Sequence, residues 1–251
     1  MPLIFPSWEN VQFNFLINRL AAPIAVVLRI MIICTGGCAL KKETNDKRFW
    51  DRYAKFYDSE VLRFSAPAYA EMYRLMSNVL SKEMRVLEIA TGTGLIADNI
   101  AAYVHSAVAT DFSPKMIEAA KKKRVPENVC FLMEDATALS FADQTFDTVI
   151  ISNALHIMPE PQTVLASIRR VLKPGGLLIA PTFSHGHLRD STWNVNAFIL
   201  RLIGFETYSK WRPEEYVAFI GQHGFTVKNW CVLRAAFPLV YLEAILSDEN
   251  G

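Results

Sequence analysis

Apolar positions from residue 45 to residue 80 recur at helical spacing. Phe49, Tyr53, Phe56 and Tyr57 stand at i, i+4, i+7 and i+8, and Ala66 to Leu80 repeats the 3.6-residue period after Pro67. Two helices therefore precede the first strand. Strand-like runs then alternate with helix-like ones: Arg85 to Ala90 and a helix from Gly94, Ala107 to Asp111 and a helix from Pro114, Val129 to Met133, Phe146 to Ser152 and a helix from Glu160, then Leu177 to Thr182. Such alternation predicts an α/β fold with a doubly wound, mostly parallel sheet covered on both faces. The tail reads differently. After a helical stretch from Pro213 to Gln222, the runs Thr226 to Leu233 and Phe237 to Leu246 lie close enough for an antiparallel edge hairpin. The expectation is a seven-stranded sheet with capping helices at its N-terminal side.

The pattern breaks near Lys41. Residues 1–40 carry only three charges, Glu9, Arg19 and Arg29, and Leu20 to Leu40 is a 21-residue apolar stretch with Arg29 near its middle. That length is about what a bilayer crossing needs, while one Arg costs roughly 2.5–3.5 kcal/mol on insertion scales. Lys41, Lys42, Lys47 and Arg48 follow it, which by the positive-inside rule keeps everything downstream in the cytoplasm. A cleaved signal peptide fits poorly, because no basic region precedes the apolar stretch. Three readings stand side by side: a membrane anchor through residues 20–40, an upstream extension that a start at Met31 would remove, and a helix packed on the main domain. The division expected is 1–40 as extension or anchor and 41–251 as one domain, with capping helices over 41–84 and a substrate-side insert over 183–216.

Composition narrows the class. In 251 residues, 26 Lys and Arg balance 25 Asp and Glu to a net charge of +1, and 51% of residues are apolar. That composition excludes disorder, collagen and coiled coil. It also offers no broad attraction for nucleic acid, since the densest basic run, Lys121 to Arg124, reads as a solvated helix face. Cys34, Cys38, Cys130 and Cys231 form no Cys-x-x-Cys pair, so neither a disulfide framework nor a zinc site is indicated, and a reducing, cytoplasmic compartment is the simplest reading.

The first strand runs into VLEIATGTGLIA, residues 86–97, a turn with Gly92 and Gly94 ahead of a helix. Glycines admit a tight turn and close backbone approach to a ligand, and the following helix start attracts negative charge. Gly92-x-Gly94-x-x-Ala97 also satisfies the dinucleotide pattern of NAD enzymes, so the loop alone does not choose a cofactor. Asp111 ends the second strand 17 residues after Gly94, where a carboxylate accepts from ribose hydroxyls in either class; the plainer alternative is a helix cap.

Three further segments discriminate: DFSPKMIEAA from Asp111, EDATALSFADQTFDTVI from Glu134, and RRVLKPGGLLIA from Arg169. With the glycine loop they resemble the class I S-adenosylmethionine-dependent methyltransferases, a Rossmann-like fold, and within them the small-molecule group that includes ubiquinone and menaquinone C-methyltransferases. The resemblance runs from about Phe49 to Leu246. It implies S-adenosylmethionine as cofactor, with the backbone around Ala90, Thr91, Gly92 and Gly94 at its methionine part and Glu88 near its amino group. It implies Asp111 at the ribose, Phe112 and Met116 beside adenine, Asp135 accepting the adenine amino hydrogen and Ala136 N–H donating to the ring. Asp135 as a turn residue is the bland alternative. The family usually begins the loop with Gly where this chain has Ala90.

Rival readings lose support from what is missing. No Tyr-x-x-x-Lys pair serves a short-chain dehydrogenase, no Gly-Lys dipeptide serves a phosphate loop, and Ser152-Asn153 continues as Ala154-Leu155 rather than the Pro-Pro-aromatic motif of enzymes that methylate adenine or glutamine amino groups. A sulfonium methyl is already electrophilic, so alignment and water exclusion are the main demands and no metal is required. SNALHIMPEP, from Ser152, should face that methyl at the carboxyl end of the fourth strand. Asn153 and His156 are the catalytic candidates there, His156 as a general base or, equally, as a structural histidine. Tyr53 and Tyr57 close the pocket or belong to the core. His185-Gly186-His187 lacks a third metal ligand nearby.

The insert carries Ala197, Phe198, Ile199, Leu202, Ile203 and Phe205, which favours a small hydrophobic or amphipathic acceptor, though core packing explains the same residues. The acceptor atom and the oligomeric state are not legible. Two other classes stay open beside methyl transfer: an NAD-dependent oxidoreductase, and a cofactor-binding interaction module without turnover. Because the charge pattern breaks at Lys41 and the strand runs lie downstream, a chain lacking residues 1–40 is expected to fold and bind cofactor. Circular dichroism and calorimetry of the truncated protein check this, and an unfolded product would assign those residues to the core.

Overall fold

The computed structural model describes residues 47–123, 125–184, 207–234 and 238–247. The apolar stretch 20–40, the boundary at Lys41 and residues 185–206 of the insert, including His185, His187 and Ala197 to Phe205, lie outside the described residues. Among the described residues, no helix is long and apolar enough to cross a membrane.

Two helices lead, α1 (Lys47–Tyr53) and α2 (Tyr57–Val79). The break falls at residues 54–56, not at Pro67, which sits inside α2. Proline removes one helical N–H, and Pro67 is exposed. There follow β1 (Arg85–Ile89), α3 (Leu95–Ile100), β2 (Ser106–Asp111), α4 (Pro114–Lys121), β3 (Val129–Met133), β4 (Phe146–Ile151), α5 (Pro161–Val171), β5 (Leu172–Ile179), β6 (Thr182–Phe183), α6 (Pro213–Gln222), β7 (Phe225–Leu233) and β8 (Leu239–Leu246).

The sheet order is β3-β2-β1-β4-β5-β8-β6, with β7 paired to β8. The pairs among β1 to β5 are parallel, and every pair made by β8 is antiparallel. Eight strands are present among the described residues where seven runs were expected, because β5 and β6 are one run interrupted at Pro181. Leu178 pairs with Ala244, and Thr182 and Phe183 pair with Val240 and Leu239 in the same register. Pro181 cannot donate to a ladder, so the run splits there. The hairpin lies at the expected end of the sheet, with β8 inside it and β7 as its rim. The β7 register shifts between Val227 and Asn229, at exposed Lys228, and Trp230 and Val232 are also exposed.

Alternation along each strand sorts side chains into two layers. Val86, Ala107, Ala109, Phe131, Ile150 and Tyr241 pack with Met72 and Met76 of α2, Ile100 of α3 and Ala120 of α4. Leu87, Ile89, Val149, Leu178 and Leu242 pack on the other face with Val164, Leu165 and Ile168 of α5 and Tyr216 and Ile220 of α6. The α5 apolar positions recur at i, i+1, i+4 and i+7, counting Val171, and so cover one helix face. Pro213 opens α6, where the Glu215 side chain accepts from the Arg212 N–H at 2.9 Å.

Gly94 joins the loop after β1 to this packing. Its φ is +83°, and a Cβ there would lie 2.7 Å from Phe131 Cζ and 3.5 Å from Ala120 Cβ. A left-handed L-residue costs about 1–2 kcal/mol and forced overpacking about 1–3 more. Gly94→Ala should therefore lower Tm by several degrees or more in a thermal melt, and an unchanged Tm would show that the loop moves freely away from β3.

Candidate functional site

β1 ends in a succession of left-handed residues, Ala90 (φ +54°), Gly92 (φ +57°) and Gly94 (φ +83°). The loop is closed by its own backbone: Thr91 N–H donates to Thr110 O at 2.8 Å and Gly94 N–H to Thr91 O at 3.0 Å. Ala90 adopts the conformation that glycine takes freely, so the substitution keeps the turn and adds strain of about 1–2 kcal/mol.

Asp111, at the end of β2, receives this loop. Gly92 N–H donates to its Oδ2 at 2.9 Å and Ser113 N–H to its Oδ1 at 2.9 Å. One carboxylate thus ties the β1 loop to the start of α4, whose N-cap is Ser113, accepting from Met116 N–H at 3.1 Å. Burial pushes the Asp111 carboxyl up to about 6; the Ser113 and Gly92 N–H groups hold the rise back, and the Asp51 carboxylate adds to it.

A cavity of about 380 Å³ opens beside Asp111. Its wall follows the carboxyl ends of four neighbouring strands: Ala90 and Gly92 after β1, Phe112 after β2, Asp135 and Ala136 after β3, Asn153 after β4. β1 and β4 adjoin where the strand order reverses, the place where open α/β sheets bind ligands. Met116 of α4 and Tyr57 of α2 also line it. Of the residues singled out in the sequence, these eight and Asp111 come together. Glu88, Thr91, Gly94, Tyr53 and His156 are not in the lining.

Each of those five has another place. Gly94 and Thr91 shape the loop. Glu88 is 2% exposed and its Oε2 has no hydrogen-bond partner. Burial pushes its carboxyl up to about 8. Tyr53 is buried in an aromatic cluster, its ring centroid 6.0 Å from that of Phe49 and 6.2 Å from that of Trp50. His156 is buried, with Nδ1 2.9 Å from Thr182 Oγ1 and its ring edge-on to Phe183. Its carbonyl accepts from the Tyr208 and Ser209 N–H groups at 3.0 and 3.1 Å. His156 thereby joins the segment after β4 to the described residues on either side of 185–206.

Asn153 is left-handed at φ +53°, fixed by its N–H on Pro181 O at 2.8 Å. Its Nδ2 donates to the Tyr69 hydroxyl at 3.1 Å, which leaves Oδ1 buried without a partner. Asp135 both lines the cavity and closes a turn, its Oδ1 accepting from Thr137 N–H at 2.8 Å.

Several lining residues escaped the sequence reading. Ile157, Met158, Pro159 and Glu160 belong to the SNALHIMPEP segment, whose Asn153 and His156 carried the more distinctive chemistry. Trp50 and Glu134 line the cavity too. Trp50 stands seven residues before Tyr57, a spacing that could have paired them; Glu134 gave no signal, and its carboxylate is engaged by Ser140 N–H at 3.0 Å. No group of three metal-binding side chains occurs among the described residues.

The sheet order, loop and switch-point cavity together define a class I methyltransferase fold. Residues 87–180 match the family profile described as "Methyltransferase domain". A demethylmenaquinone methyltransferase of Renibacterium salmoninarum is 45% identical over 101 residues, 40% of this chain and 42% of the relative. The chain therefore spans less than half the length of that curated relative. Among solved structures, a SAM-dependent methyltransferase from Aquifex aeolicus superposes with a TM-score of 0.58 at 17% identity, covering 78% of this chain and 98% of that one. The [4+2]-cyclase SpnF gives 0.57 at 19%, covering 88% and 93%. At such identities these two show the fold alone.

The buried Glu88 generates a prediction with a definite sign. Its carboxyl titrates near 8 in the folded chain and near 4.3 when unfolded, so folding takes up a proton between those values and stability falls as pH rises across that window. Glu88→Gln removes this cost. The ligand-free variant should melt higher than the native protein, by a margin that grows from about pH 4.5 to 8 and then levels off. A margin independent of pH would mean that Glu88 is not held protonated.

Proposed function

We propose that this protein transfers a methyl group from S-adenosylmethionine to a small hydrophobic or amphipathic acceptor. The observation that carries the reading is Asp111, whose two oxygens are fixed by the Gly92 and Ser113 N–H groups beside a cavity at the sheet's switch point. When bound, the cofactor supplies an electrophilic methyl. Each Asp111 oxygen accepts one backbone hydrogen and has a second lone pair for a ribose hydroxyl. Phe112 and Met116 flank adenine, and Asp135 and the Ala136 N–H meet its polar edge. The backbone of Ala90, Thr91, Gly92 and Gly94 surrounds the methionine part, and the unpaired Glu88 oxygen suits its ammonium group.

Acceptor binding falls to Asn153, Ile157 and Met158, with Tyr57 opposite. The Asn153 Oδ1 lacks a partner and can accept a hydrogen bond from the nucleophile's O–H or N–H group, orienting it. His156 holds the rim through Thr182 rather than taking a proton, so His156→Ala slows transfer without abolishing cofactor binding. The likeness to a demethylmenaquinone methyltransferase makes a reduced naphthoquinone ring the first acceptor to try. The exposed Cys130 and half-buried Cys231, both free thiols, fit a cytoplasmic setting.

Calorimetry should detect S-adenosylmethionine and S-adenosylhomocysteine but not NADH. Affinity is expected to fall as pH is lowered through about 6, where Asp111 gains a proton and loses acceptor capacity. Asp111→Ala should weaken binding at least about tenfold, since each charge-assisted hydrogen bond is worth roughly 1.5–3 kcal/mol. Tritiated-methyl transfer to reduced naphthoquinone, and to a cell extract if that fails, then tests turnover. Heat from NADH with none from S-adenosylmethionine would refute the reading.

A further inference from the structure

The leading helix α1 reaches the cavity side of the sheet through one carboxylate. Asp51 Oδ1 accepts from Ser113 Oγ at 2.6 Å and from Lys115 N–H at 3.3 Å. Ser113 is fully buried, and all its polar groups are engaged: its hydroxyl hydrogen goes to Asp51, its Oγ accepts from Met116 N–H, its N–H goes to Asp111 Oδ1, and its carbonyl accepts from Ile117 N–H at 3.2 Å. Asp51, Ser113 and Asp111 are thus linked in series, carboxylate to hydroxyl and amide to carboxylate.

We infer that Asp51 is a positioning residue for the cofactor site, acting through Ser113 on Asp111, so that the leading helix is part of the binding machinery and not merely a cover. The inference rests on the reading of the cavity as a cofactor site. Without Asp51 the Ser113 hydroxyl hydrogen has no acceptor in a buried position, and the hydroxyl is free to turn. The turn that sets Phe112, Ser113 and the start of α4 would then lose the contact that fixes it from α1. Met116 and Trp50 line the same cavity from the two helices that Asp51 joins.

Charge supplies the second arm. Ionisable groups face Asp111 from three elements: Asp51 of α1, Tyr57 of α2 and Glu88 of β1; Lys115 of α4 lies beside Asp51. Asp51 is negative and repels the ionised form of Asp111. Removing that charge alone eases Asp111 ionisation, and the acid limb of cofactor binding moves to lower pH.

The test uses the full chain and S-adenosylhomocysteine, titrated by calorimetry from about pH 5 to 8. Because the same ligand is used throughout, its own titration cancels between proteins. Asp51→Asn keeps an oxygen for the Ser113 hydroxyl and loses the charge. It should hold affinity within about twofold at neutral pH and shift the midpoint of the acid limb downward by about 0.3–0.5 pH unit. Asp51→Ala loses both and should show the downward shift together with about five- to tenfold weaker binding at neutral pH. Native affinity and an unmoved midpoint in both variants would overturn the inference, and so would a lowered Tm with affinity and midpoint intact, because helix docking alone predicts that result. Should Asp51→Ala not fold, the Asp51→Asn midpoint still decides. Absence of binding by the native protein would instead strike at the cofactor reading itself.

Discussion

The Asp111 carboxylate is the point on which the site depends. Two segments distant in sequence, the loop after β1 and the turn before α4, each leave a backbone N–H that needs an acceptor, and Asp111 accepts from both at 2.9 Å. A buried N–H without a partner costs about 1–3 kcal/mol, so this single side chain holds the loop closed and starts the helix. It does so under strain of its own, since burial and a neighbouring carboxylate both resist its charge. A ligand that brings hydroxyl hydrogens to the same oxygens relieves that resistance. The cavity is therefore built around a group whose environment in the free chain is incomplete.

The same economy recurs nearby. The Glu88 Oε2 and Asn153 Oδ1 atoms are buried acceptors without partners, one on β1 and one after β4. Core packing does not call for either, because Val86 and Leu87 beside Glu88, and Ile150 and Ile151 ahead of Asn153, already fill the two layers. Unsatisfied polar atoms are rare in folded chains and concentrate where a ligand completes them. Asn153 is further held at φ +53°, a conformation fixed by Pro181 O and Tyr69. Strain and unpaired acceptors thus meet at the carboxyl ends of adjacent strands.

Much of this was legible in the sequence, for identifiable reasons. Strand runs such as Val86 to Ile89 and Thr148 to Ile151 are buried without a break because both sheet faces are covered. Gly92, Gly94 and Asp111 stand out because left-handed turns and a carboxylate that accepts two backbone N–H groups restrict residue type. Other features are decided by contacts between distant segments and leave no local trace. The helix break at residues 54–56 follows from packing, whereas Pro67, the local signal for a break, is tolerated on an exposed face. Tyr69 pairs with Asn153 across 84 positions, and nothing in either neighbourhood announces the other. Tyr53 does not line the cavity, and its ring packs against Phe49 and Trp50 and edge-on against Tyr57 at 5.8 Å, contacts that no spacing alone distinguishes from a place in the lining. The division of the last parallel strand at Pro181 is visible only once β8 is known to pair across it.

The rim strand β7 has a bearing on how this chain behaves in concentrated solution. An outer strand exposes a row of unpaired amides and carbonyls that can template addition of another chain. Here the row is interrupted near its centre, where the register slips between Val227 and Asn229 and Lys228 projects as an exposed charge. A bulge and a lysine are two of the devices by which sheets resist growth beyond their own edge. The stretch after the slip, with Trp230 and Val232 exposed, has no such guard, so any tendency toward self-assembly should begin there and not at the polar half of the strand.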